Sequence, residues 1–135
     1  RERKMPLIGD GTGVWSFLHV DDAAAATVAA IEGGAPGIYN VCDDEPAAAA
    51  VWLPELAAIV GAPRPRRVPV WLGRLAAGEA VALMFTATRG ASNLKAKREL
   101  AWAQRYASWR TGFRDGLGAA HTSGDFAGAM RAPHS

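Results

Sequence analysis

The apolar run "VWSFLHV" occupies residues 14–20. In an extended chain Val14, Ser16, Leu18 and Val20 share one face, while Trp15, Phe17 and His19 share the other. Both faces are largely apolar, so the pattern predicts a strand covered on both sides. Upstream, "MPLI" predicts a shorter strand. Gly9, Asp10, Gly11 and Gly13 predict a hairpin turn between the two, because glycine accepts positive φ at little steric cost. Asp21 or Asp22 then opens a helix by accepting bonds from the free N–H groups of its first turn. That helix runs to about Glu32, where "EGGAPG" stops it.

"IYNVC" (38–42) predicts a third strand, and "DDEP" turns into a helix over about residues 47–60. Pro54 is tolerable there only near the first turn. "GAPRPRRVP" (61–69) reads as a proline-rich connection, and a helical stretch follows over about 71–88, with Leu72, Leu75, Ala76 and Glu79 at helical spacing. In "ASNLKAKRELAW", Ser92 or Asn93 is the cap, and Leu94, Ala96 and Leu100 face inward. "SWRTGFRDGL" (108–117) predicts a last helix with Trp109, Phe113 and Leu117 on one stripe. From Gly118 the pattern dissolves, so 118–135 is expected to be a disordered tail.

The class is therefore α/β, with few short strands and several helices. Such an inventory does not close on itself, because strand edges and helix faces stay uncovered. The expectation is an incomplete portion, residues 1–117, that packs on a further domain.

Composition adds mainly exclusions. Of the 135 residues half are hydrophobic and about a fifth are charged, which is ordinary for a globular chain. The net charge is +2, and basic residues cluster in "RERK", "RPRR" and "KAKR". Without interleaved aromatics, and with thirteen acidic residues spread along the chain, these read as solvated faces rather than a nucleic-acid surface. Cys42 is the only cysteine, which excludes an intrachain disulfide and reads as a small apolar core residue. The longest apolar region (70–87) is broken by Arg74 and Glu79, so no membrane span is expected. No secretory signal is expected either, and a cytoplasmic, bacterial-type protein fits best.

Taken in order, "VWSFLHVDDAA", "GIYNVCDDEP" and "NLKAKRELAW…SWRTGFRDGL" resemble the carboxy-terminal part of the extended short-chain dehydrogenase/reductase family, the NAD-dependent epimerase/dehydratase proteins. The resemblance implies a Rossmann-type fold of which this chain is the substrate-side portion. It implies NAD or NADP bound mainly by a missing amino-terminal Rossmann domain through a glycine-rich loop. It also implies a tyrosine and lysine four residues apart for proton transfer. Neither motif is met in this chain. "GDGTG" puts Val14 where a third glycine belongs and precedes a strand instead of opening a helix. Tyr39 is followed four residues later by Asp43, and Tyr106 by Arg110. No catalytic, cofactor-binding or metal residue is therefore assigned, and the chain alone is expected to be inactive.

The same resemblance nominates substrate contacts. Where sugar-nucleotide members carry an arginine for the pyrophosphate, this chain has Trp15 followed by Ser16. Tryptophan cannot neutralise a diphosphate, which favours a smaller or more apolar carbonyl or alcohol; Trp15 as plain core is the alternative. Met84 and Arg89 fall where the family lines its pocket, with Arg89 either meeting an anionic group or standing at the surface. His19 is read as structural, and Asp21 and Asp22 as one cap and one surface residue. "AWAQRY" puts Ala101 and Gln104 where the family has glycine and proline, which predicts a looser turn before the last helix. His121, Asp125 and His134 are too scattered for a metal site. The functional expectation is a substrate-binding fragment of an NAD(P)-dependent epimerase, dehydratase or reductase, with homodimerisation possible. The alternative is a truncated, non-catalytic binding or dimerisation module.

Overall fold

The computed structural model describes residues 5–122. Its strands are β1 (Leu7–Ile8), β2 (Val14–Trp15), β3 (Ala47–Ala48) and β4 (Arg67–Val68). Its helices are α1 (Val20–Gly33), α2 (Ala49–Ile59), α3 (Val70–Ala77), α4 (Glu79–Thr86), α5 (Leu94–Leu100) and α6 (Trp109–Thr122). The α/β class holds, with strands even shorter than the pattern predicts.

Those strands form two separate pairs. β1 runs parallel to β4, with Leu7 opposite Arg67 and Ile8 opposite Val68. β2 runs antiparallel to β3, with Val14 opposite Ala48 and Trp15 opposite Ala47. The glycine segment is thus no hairpin: it carries the chain from one pair to the other. Gly13 is needed for close approach, since its N–H donates to the Phe85 carbonyl at 2.8 Å. A Cβ there would lie 2.3 Å from the Met84 carbonyl oxygen.

Three further expectations change. Residues 38–42 form no strand; the carbonyls at the two ends of the stretch accept from side chains instead of a ladder, Ile38 from Lys95 and Cys42 from Asn93. "RV" in the proline-rich connection does form one, drawn into line by β1. The long helical stretch is two helices, broken at Gly78, whose φ of 90° belongs to neither. On α3 it is Gly73 that is buried, against Ile8, while Leu72, Leu75 and Ala76 are exposed. α6 continues past Gly118 to Thr122, and residues 123–135 of the expected tail lie outside the described residues, as does the "RERK" cluster.

The core is aromatic. Trp15 and Phe17 pack on Trp52 of α2 at ring-centroid distances of 4.7 and 5.4 Å, and Phe17 meets Phe113 of α6 at 5.2 Å. Phe85 and Trp109 are almost fully buried in the same cluster, and such rings contribute both area and preferred edge geometry. A smaller cluster joins α1 to α5 through Ala26, Ala96, Leu100 and Trp102; Leu94, expected to face inward, is exposed. Cys42 is buried as read. Arg110 ties the layers together, pairing with Glu55 of α2 at 3.0 Å and with Glu45 of the preceding loop.

Large apolar side chains remain uncovered beside this core. Val28 and Ile31 on α1 are 52% and 81% exposed, and Ile38 just beyond is 87% exposed. On α3, Trp71 and Leu75 are 66% and 79% exposed.

Candidate functional site

The four residues nominated from sequence come together. Trp15 on β2 and Ser16 just after it, with Met84 in the last turn of α4 and Arg89 beyond that helix, line one cleft of about 330 Å³ with Val14, Thr88 and Gly90. Backbone bonds create the meeting. Gly13 donates to Phe85, Val14 donates to Thr88 at 2.8 Å, and Val14 bridges Arg89. Thr12 adds a side-chain bond to the Thr86 carbonyl.

Each side chain has a defined capacity. The Trp15 indole N–H donates to the Met84 carbonyl at 2.7 Å, so its single donor is spent within the protein. Its ring serves the core on one side and the cleft on the other, which joins the two readings of this residue. The Ser16 hydroxyl accepts from the Ala91 N–H at 2.8 Å and holds the segment after Gly90 in place. Met84 is partly exposed along the cleft. Arg89 is exposed, and among the described residues no carboxylate lies within 4.0 Å of its guanidinium. The cleft therefore offers an apolar aromatic wall with one cation at its edge. That combination suits a planar apolar body bearing an anionic group.

A dinucleotide does not fit the glycine segment. The N–H groups of Gly9 and Gly13 are bonded to the Val68 and Phe85 carbonyls. The space a Cβ would take at Gly11 is filled by the Leu7 side chain and the Ala50 backbone nitrogen, so no phosphate cradle is open there.

Neither tyrosine forms an activated pair. Lys95 lies over the Tyr39 ring at 4.7 Å, but desolvation and the neighbouring Glu99 push the Tyr39 hydroxyl above its ordinary value. Tyr106 stacks on His19 at 3.8 Å, while Arg110 is engaged with Glu45 and Glu55. His19 is structural: its Nδ1 accepts from the Asp21 N–H at 3.2 Å and caps α1. Capping therefore falls to His19 and not to an aspartate. Asp21 is the surface residue, and Asp22 is buried, its two oxygens accepting the N–H groups of Arg105 and Tyr106 at 2.7 and 2.9 Å.

That clamp corrects the looser turn expected after α5. Ala101, where the family has glycine, is held at a left-handed φ of 48°, a cost of about 1 kcal/mol. Asp22 secures the segment that follows. Asp125 and His134, weighed as metal ligands, lie outside the described residues, and so does the His121 side chain.

Two polar residues carry more than the sequence suggested. Asn93 is buried and its amide donates to the Cys42 carbonyl and to Asp44, each at 2.7 Å. Lys97 holds both oxygens of Asp44, and with Asn93 keeps its carboxyl below the usual range. Asp43 is the opposite case: burial pushes its carboxyl up from 3.8 to about 6, against the opposing backbone N–H groups of Trp109 and Phe17.

A raised folded-state pKa means the native protein binds this proton more tightly than the unfolded chain. The resulting stabilisation is complete below about pH 4 and lost as pH rises through about 6. Asp43→Asn is expected to flatten this slope and to be the more stable form at about pH 8, by on the order of 2 kcal/mol. Urea denaturation across the pH range checks it, and an unchanged slope would contradict it.

A partial α/β architecture of Rossmann type with an aromatic, singly cationic cleft narrows the class of protein. Residues 1–42 match the family model described as the NAD dependent epimerase/dehydratase family. A curated relative, the 3-diazoavenalumate denitrifying reductase of Streptomyces sp, is 49% identical over 115 residues, covering 85% of this chain and 36% of the relative. A solved structure, described as a functionally unknown conserved protein from Silicibacter pomeroyi DSS, superposes with a TM-score of 0.69 at 28% identity. That match covers 89% of this chain and 42% of the other. The chain thus spans less than half the length of each of these relatives.

Proposed function

We propose that this chain is the substrate-side wall of an NAD(P)-dependent reductase, with the nicotinamide held by a portion of the protein outside these residues. The nicotinamide would supply the hydride. This chain would seat the acceptor: Trp15 and Met84 flank its planar body, Ser16 fixes the cleft wall, and Arg89 pairs with an anionic group. The cleft itself carries the reading, since it gathers those four residues and contains no acid–base pair of its own. Two further observations support it. The relative named above is a reductase whose name specifies 3-diazoavenalumate as its substrate. The exposed apolar side chains on α1 and α3 support a further protein surface packed over them.

Within that reading the reductase is preferred to an epimerase or dehydratase, and an aromatic diazo acid or a related carbonyl is the acceptor. The test is nicotinamide oxidation by the full-length protein, followed by the loss of the reduced cofactor's absorbance with aryl diazo acids, aryl aldehydes and nucleotide sugars. Turnover confined to the aryl acids and carbonyls is expected. Preference for a nucleotide sugar would overturn the assignment.

A further inference from the structure

Arg89 stands on a stretch of chain whose course is set partly from outside the cleft. Before it, the Thr88 carbonyl accepts from the Val14 N–H at 2.8 Å, and Arg89 itself bridges Val14. After it comes Gly90, at a φ of 71°. Glycine tolerates many conformations, so the direction in which the chain leaves Arg89 depends on what holds the residues that follow. Ala91 is held by Ser16, whose hydroxyl accepts its N–H at 2.8 Å, and by the Cys42 thiol, which donates to its carbonyl at 3.6 Å.

Asn93 closes this brace. It is buried, although Thr88, Arg89 and Gly90 just before it are exposed. It occupies the N-cap position of α5, where an asparagine side chain ordinarily accepts an N–H of its own helix. Here it makes no such bond. Its amide turns instead to residues 42–44, donating to the Cys42 carbonyl and the Asp44 carboxylate at 2.7 Å each and lying 3.3 Å from the Asp43 carbonyl. Cys42 is therefore tied to Ala91 through its thiol and to Asn93 through its carbonyl, so both residues are docked on one point. The turn between is closely seated: a Cβ at Gly90 would lie 3.1 Å from the Val14 side chain and 3.2 Å from those of Pro46 and Ser16.

We propose that Asn93 is a positioning residue for Arg89: by docking the chain after Gly90 onto Cys42 and Asp44, it fixes the backbone from which the guanidinium meets the anionic end of the substrate. Asn93 does not line the cleft and acts through the Arg89–Gly90 turn. The inference rests on the reductase reading of the cleft and deepens it, because selectivity for acidic aryl substrates then has a determinant outside the cleft wall. An amide suits the position, since the groups around it are carbonyl and carboxylate oxygens that only a donor can satisfy.

The test uses the full-length protein and two matched probes, 4-carboxybenzaldehyde and 4-methylbenzaldehyde, which differ in the anionic group. Asn93→Ala is expected to raise KM for the carboxylated probe by ~10-fold, with kcat within about threefold and KM for the methyl probe within about twofold of the wild type. Asn93→Ser should do the same while keeping a good cap for α5, which guards against misfolding. Hydrogen exchange at the Ala91 amide should speed by ~10-fold in both variants. Added to Arg89→Ala, either change should leave the ratio of the two KM values where Arg89→Ala alone puts it, because the positioned group is gone. Lys97→Ala removes the other partner of Asp44 but not the Asn93 bond to Cys42, so it should lower stability and keep the wild-type ratio. Equal losses for both probes, or full additivity with Arg89→Ala, would overturn the role of Asn93 and leave the reductase reading standing. Turnover of neither probe, or an Arg89→Ala protein with the wild-type ratio, would overturn that reading and this inference with it.

Discussion

Asp22→Ala is expected to lower the stability of the protein by about 3 kcal/mol, the largest effect of any polar substitution outside the aromatic core. The carboxylate is 3% exposed and receives two backbone N–H groups more than eighty residues away in sequence, at 2.7 and 2.9 Å. Each is a charge-assisted bond, worth about 1.5–3 kcal/mol. Removing the acceptor leaves both donors partly buried and frees the segment between Ala101 and α6. Asp22 also sits in the first turn of α1, where a negative charge faces the positive end of the helix dipole. Asp22→Asn should recover little, since its amide group would set a donor against a donor. Denaturant titration gives the total. Hydrogen exchange at Arg105 and Tyr106 locates it, and unchanged protection at those two amides would contradict the clamp.

Arg89→Ala is expected to raise KM for an anionic aryl substrate by ~10- to 100-fold while leaving kcat within about threefold. Arg89 lines the cleft and is exposed, and no carboxylate among the described residues pairs with its guanidinium. Its contribution would then be ground-state binding of a carboxylate, kept equally in the transition state. Arg89→Lys should restore part of the loss, because a lysine keeps the charge and forfeits the bidentate fork. Steady-state kinetics on the full-length protein separates the two parameters. A fall in kcat with KM unchanged would place Arg89 elsewhere in the reaction, and no change in either would return it to the surface.

Much of this molecule was legible from local pattern. The end of α1 was legible from "EGG", the start of α5 from the residues before Leu94, and the start of α6 from the Trp109–Phe113–Leu117 stripe, because stops and apolar spacing act within a turn or two; the cap of α1 was misplaced by two residues and α6 runs on to Thr122. The strands were less legible. A strand is stabilised by a neighbour, and the neighbour of Arg67–Val68 lies sixty residues upstream at Leu7–Ile8. Ile38–Cys42 has strand-like side chains but no ladder among the described residues. Gly78 was passed over because a single glycine costs a helix only about 1 kcal/mol and so does not by itself announce a break.

The cleft divides in the same way. Trp15 with Ser16, and Met84 with Arg89, were nominated through a family resemblance; no spacing rule joins segments about seventy residues apart. The structure joins them through the Gly13–Phe85 and Val14–Thr88 bonds. Asp22, Asp43 and Asn93 could not be found that way. "DD" and "DDE" are ordinary cap and turn sequences, and burial, which makes these carboxylates consequential, is a property of what packs over them. His19 caps α1, a role that the pattern had assigned to an aspartate.

Whether these residues wall a site whose redox partner lies elsewhere is decided most directly by nicotinamide affinity. Purified as 135 residues and titrated with NADH and NADPH by calorimetry, the chain should show no saturable binding, whereas the full-length protein should bind one of the two in the micromolar range. Micromolar binding by the 135 residues alone would contradict the account.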